Sequence, residues 1–142
     1  MIYLVHHADA VAPGVDAQRP LSAAGRLHAD QLAARARERG ITPAVIWHSG
    51  KLRARQTAEA FLRACNPLAE FSAIRGLQPD DPPEWIRDLV SGHDRDLMLV
   101  GHMPSLPRIL SLLTGNTQEF PLHGLIALEP AAERWVEKYR LP

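Results

Sequence analysis

Residues 96–106 read DLMLVGHMPSL, and most of the fold follows from them. Leu97 to Val100 is an apolar run without polar alternation, the mark of a strand buried on both faces rather than one half exposed to water. The run stops at Gly101-His102, and residues 105–114 form an apolar helix closed by Gly115. A strand covered on both faces needs helices on both sides, so this stretch predicts an α/β fold with a mostly parallel central sheet flanked by helices.

The remaining elements fit that frame. IYLV at the start is a second fully buried run, and the Pro- and Gly-containing segment VAPGVDAQRP is a loop. Ser22 caps a helix that runs to about residue 39, with Leu27, Leu32 and Ala36 at helical spacing and Gly40 ending it. AVIW (44–47) is a short strand, followed by a helix in KLRARQTAEAFLRAC with Leu52, Ala58, Phe61 and Leu62 inward. Asn66-Pro67 stops it, and GLQPDD continues as a loop. A helix starts near Pro82 or Pro83, where proline is tolerated in the first turn. GLIALEP and RWVEKYRL predict two closing strands. The whole, residues 1–142, reads as one domain with no repeat or linker.

Composition narrows the function. The chain is 46% hydrophobic, and 16 basic residues balance 16 acidic ones, so no global field recruits nucleic acid or an anionic membrane. No segment approaches the roughly 18 apolar residues of a membrane span, and no basic leader precedes IYLV. The single Cys65 stands outside any metal-ligand spacing, and a reducing cytoplasm is the expected compartment.

In a parallel α/β sheet, ligands bind beyond the carboxyl ends of the strands. His6 and His7 follow the first strand, His48, Ser49 and then Arg53 follow AVIW, and His102 follows the run quoted above. Imidazoles and a guanidinium without a carboxylate at these three strand ends suit a tetrahedral anion. A neutral imidazole can attack phosphorus while Arg53 binds the equatorial oxygens, and His102 precedes a helix whose amino-terminal amides favour anions. His6 and His7 both qualify as the attacker. Ser49 borders the same rim, and His123, ahead of the penultimate strand, approaches it. No HxH or HxxxH pair points to a metal, and no cofactor motif is present.

The segments LVHHADA, RPLSAAG, SGKLRARQTAEAF, GLQPDD and LVGHMPSL, in this order, resemble the histidine phosphatase superfamily, in particular its short SixA-type phosphohistidine phosphatases, from residue 2 to about residue 128. The resemblance implies that His7 is the histidine that becomes phosphorylated, Arg53 a phosphate-binding arginine, His102 the second site histidine and Arg19 a residue near the pocket mouth. It also implies a metal-independent phosphatase acting on phosphohistidine of a signalling or phosphotransfer protein, with a small phosphorylated substrate as a further alternative. Two departures stand out: His6 replaces an arginine, and Gly50 replaces a common proline. His6 is expected to clamp phosphate in protonated form. Its weaker donor set leaves a pseudophosphatase, which binds phosphoanions without turning them over, as the alternative. Larger relatives use an acid to protonate the leaving group, and Asp80 and Asp81 are the nearest acids in the corresponding stretch.

Overall fold

The computed structural model describes residues 1–142. Six strands and four helices alternate: β1 (Ile2–His6), α1 (Ala23–Glu38), β2 (Val45–His48), α2 (Leu52–Cys65), β3 (Glu70–Ala73), α3 (Pro83–Ser91), β4 (Leu97–Gly101), α4 (Ser105–Thr114), β5 (Leu125–Pro130) and β6 (Trp135–Leu141). The sheet order is β3-β2-β4-β1-β5-β6. The first four strands in that order pair in parallel, while β5 and β6 are antiparallel. No helix is long and apolar enough to cross a membrane.

The unbroken apolar runs predicted for β1 and β4 are buried along their whole length. Successive side chains alternate between two cores, as the period of a strand requires. Tyr3, Val5, Met98 and Val100 join the core that includes α1 and α2 residues, and Ile2, Leu4, Leu97 and Leu99 join the one that includes α3 and α4 residues.

Three local expectations need correction. Leu27 does not face the core; it is 60% exposed, and Gly25, Ala29, Leu32, Ala33 and Ala36 form the buried stripe of α1. Leu52 and Leu62 are only partly buried, whereas Ala54, Ala58 and Phe61 are fully so. A strand also stands at residues 70–73, just before the predicted loop. It is an edge strand, held by backbone pairing to β2, and its side chains are largely exposed, so it carries little hydrophobic signal.

Candidate active site

β1 lies between β4 and β5, so its carboxyl end is held from both sides. The His6 N–H donates to the Gly124 carbonyl at 3.0 Å and the His7 N–H to the Gly101 carbonyl at 3.1 Å. The segment after the strand is held equally well. Thr57 Oγ accepts the Ala8 N–H at 3.0 Å and donates to the Arg53 carbonyl at 2.8 Å, which ties His7 to the turn of α2 that carries Arg53. Asp9 receives the Ser22 hydroxyl at 2.7 Å, while the Ser22 hydroxyl caps α1 through the Gly25 N–H at 3.0 Å. A Cβ on Gly25 would stand 2.0 Å from the Asp9 carbonyl oxygen, so this contact requires glycine.

Four imidazoles meet at this end. The ring centroids of His6 and His7 are 4.5 Å apart and those of His7 and His102 are 5.0 Å apart. His6 and His123 stack at 4.9 Å with 7° between their planes. The hydrogen bonds assign the tautomers. A carbonyl only accepts, so His7 Nδ1 donates to the Ala8 carbonyl at 2.7 Å and leaves Nε2 with a free lone pair. By the same logic, His123 Nδ1 donates to the His7 carbonyl at 2.6 Å. His6 is opposite: its Nδ1 accepts the His123 backbone N–H at 2.8 Å, so the remaining proton of the neutral ring sits on Nε2. His102 Nε2 shares a hydrogen bond of 2.7 Å with Ser49 Oγ.

Burial disfavours charge on His6, His7 and His102 more than any other cause. It lowers His6 to about 3, with the neighbouring His7, His123 and Arg53 adding to the effect. Burial likewise lowers His102 to about 3, reinforced by His7 and Arg53. His7 falls to about 4, mainly through burial; its bond to Ala8 works in the other direction. The Arg53 guanidinium is lowered by burial and then by Arg19. Without an anion beside it, His6 is a neutral ring offering a single Nε2–H donor.

Two polar atoms in this group have no hydrogen-bond partner although both are buried: Arg53 Nε and His102 Nδ1. Burying such atoms unpaired is costly, and an oxyanion between the rings would satisfy a donor at each. A metal fits less well. Ring nitrogens of His6, His7 and His123 lie within 4.8 Å of one another. The proton on His6 Nε2 leaves only two free lone pairs, on His7 and His123, fewer than the three or four ligands of a zinc site.

The other predicted residues are distributed as follows. Arg19 lies near enough for its charge to act on Arg53 and His7, with its Nε donating to the Val11 carbonyl at 2.9 Å and its backbone at φ 51°. Asp81 Oδ2 accepts the Gly76 and Gln78 amides at 3.0 Å each and so shapes its own loop; Asp80 is exposed. Neither acid is hydrogen-bonded or ion-paired to an imidazole of the cluster. His48 belongs elsewhere: its Nδ1 accepts the Gly50 N–H and its ring packs on Phe71. Three contributors escaped the sequence reading. Thr57 holds the Ala8 amide, Gln78 donates to the Ser49 carbonyl at 2.6 Å, and His28 is partly buried edge-on against His123. RQTAEA and LQPDD contained the first two without a pattern to single them out.

Residues 2–78 match the model of the histidine phosphatase superfamily, branch 1. The chain belongs to this superfamily. A protein assigned as the phosphohistidine phosphatase SixA of Agrobacterium tumefaciens has 29% identity and a TM-score of 0.84, with 99% of this chain and 96% of that one covered. An uncharacterized protein of Picosynechococcus sp. is 30% identical over 144 residues, covering 94% of this chain and 87% of its own length. The fold is shared with a phosphoserine phosphatase of Entamoeba histolytica solved with phosphoserine, at 11% identity and a TM-score of 0.75 over 98% of this chain and 95% of that one. The histidine phosphatase fold thus extends over nearly the whole chain, with SixA-type structures among its relatives.

Proposed function

We propose that this histidine phosphatase hydrolyses phosphohistidine on a signalling or phosphotransfer protein through a covalent phospho-His7 intermediate, without a metal. The observation that carries this reading is the His7 tautomer: Nδ1–H is fixed on the Ala8 carbonyl, and the lone pair of Nε2 is free on a ring whose centroid lies 5.0 Å from that of His102. Nε2 attacks phosphorus in line while Arg53, His102 and the His6 Nε2–H hold the equatorial oxygens. Phosphorylation of Nε2 makes the ring cationic, and the bond to Ala8 then becomes charge-assisted. Water releases phosphate from His7 in the second step. Arg19 and Ser49 border the bound group.

A protein substrate is supported by the likeness to SixA-type structures, among them a protein histidine phosphatase SixA solved with tungstate at a TM-score of 0.85. A second reading, a phosphoprotein-binding module with little turnover, draws on the neutral state of His6.

The test is incubation with a radiolabelled phosphohistidine protein, quenched in alkali. Acid-labile label should appear on His7, free phosphate should accumulate, and His7→Ala should reduce turnover by roughly four orders of magnitude or more while remaining folded. Retention of the label on the substrate, with tight binding, would establish the binding module instead.

A further inference from the structure

The rim holds a nucleophile and oxyanion donors but no carboxylate placed to protonate a leaving group. Asp81 is bonded to two loop amides, Asp80 is exposed, and the Asp9 carboxylate takes the Ser22 hydroxyl. His123 has the geometry that these acids lack. It is tied to the nucleophile strand twice, by its backbone N–H to His6 Nδ1 at 2.8 Å and by its ring Nδ1–H to the His7 carbonyl at 2.6 Å. Its backbone is held at φ 54°, a region that a residue with a Cβ rarely adopts and that clusters at functional sites. With Nδ1 committed, Nε2 is the atom free to exchange a proton. The ring is more exposed than His6 or His102 and lies 6.1 Å from His7, centroid to centroid.

We infer that His123 is the general acid and base of the reaction proposed above, giving a proton to the leaving group and later taking one from water. The inference rests on that phosphatase reading. In-line attack from His7 places the leaving atom on the far side of phosphorus, toward the solvent from which the substrate's bulk enters. A nucleophile about 3 to 3.5 Å from phosphorus leaves the departing atom about 5 Å from Nε2. Ring nitrogens of His7 and His123 stand within 4.8 Å of each other, so a departing atom can lie within a hydrogen bond's length of His123 as well.

The steps balance. His7 Nε2 forms its bond to phosphorus as the substrate's P–N or P–O bond breaks; that bond's electron pair stays on the departing atom, which takes the proton from Nε2 of His123 in its imidazolium form, leaving the neutral ring with Nδ1–H on the His7 carbonyl. Neutral His123 then accepts a proton from water as the oxygen attacks phospho-His7. The P–Nε2 bond breaks, its pair returns to His7, phosphate leaves and His123 is again protonated. The groups around His123 are His6 of β1, His7 just after it and His28 of α1.

His123→Asn isolates the proton-transfer role. Asparagine tolerates positive φ, and its Nδ2 replaces the Nδ1 donor to the His7 carbonyl, so the variant loses Nε2 and little else. Wild type and variant are compared on a series of substituted phenyl phosphates of graded leaving-group acidity. The variant should lose about a hundredfold in kcat/KM on the poorest leaving groups and less than about threefold on the best, giving a steeper dependence. Added imidazole should restore part of the loss on the poor ones. Parallel dependences for the two proteins, with activity retained, would overturn the role of His123 alone. A wild type that turns over no member of the series and gains no label on His7 would overturn the phosphatase reading and this inference together.

Discussion

The two ends of the sheet treat their polar groups differently. At the amino edge they are matched: the Met1 ammonium meets Asp96 at 3.0 Å, and Arg95 grips Glu70 through two bonds of 3.0 and 3.1 Å. At the carboxyl rim four imidazoles crowd together, Arg53 Nε and His102 Nδ1 lack partners, and no acid balances them. One end is finished by the fold alone. The other is left with unpartnered polar atoms, which the proposed function assigns to a phosphoryl anion.

The difference can be broken by acid. Unfolded imidazoles take up protons near pH 6.5, whereas His7 resists until about 4 and His6 and His102 until about 3. Their contribution to stability is whole above about pH 6.5 and is lost as the pH falls toward those values, at up to about 1.4 kcal/mol per histidine per pH unit. Denaturant titrations should show a loss of several kcal/mol between about pH 6.5 and 4.5, with a shallower slope in His102→Asn. Equal slopes in the two proteins would mean that these rings take up protons in the folded state.

A smaller effect is expected at the clamp. Arg53→Ala should weaken vanadate binding by about 2 to 4 kcal/mol by calorimetry, and Arg53→Lys should recover only part of it, because a point charge does not reproduce the fork. Unchanged affinity in both would remove Arg53 from the phosphate shell.

The smallest belongs to the amino edge. Asp96→Asn breaks a single partly exposed pair, so thermal unfolding should register about 1 kcal/mol or less, with turnover unaltered. A change in turnover would mean that the two ends are coupled.

Much of this was legible in the sequence. Buried strands announce themselves by unbroken apolar runs, and Ser22 and Gly115 mark real helix ends, the latter at φ 77°. His7, Arg53 and His102 stand where strands give way to loops and helices, so topology alone gathers them. What stayed hidden depends on partners far away in sequence. β3 shows little hydrophobic pattern because backbone pairing, not burial, holds it. His48 follows a strand as His102 does, yet a local bond to Gly50 and contact with Phe71 take it out of the cluster. His6 and His7 are neighbours with opposite tautomers, decided by an amide at residue 123 and a carbonyl at residue 8.

That amide has a temporal consequence. His6 and His123 are 117 residues apart in the chain, and both strands flanking β1, namely β4 and β5, come from its later part. A ribosome releases the nucleophile first and its neighbours last. Through most of synthesis His7 is an ordinary imidazole in water, without the tautomer lock on His6 or the Gly124 carbonyl that holds the His6 amide. On the mechanism proposed above, reactivity toward phosphoryl groups switches on only with closure of the sheet.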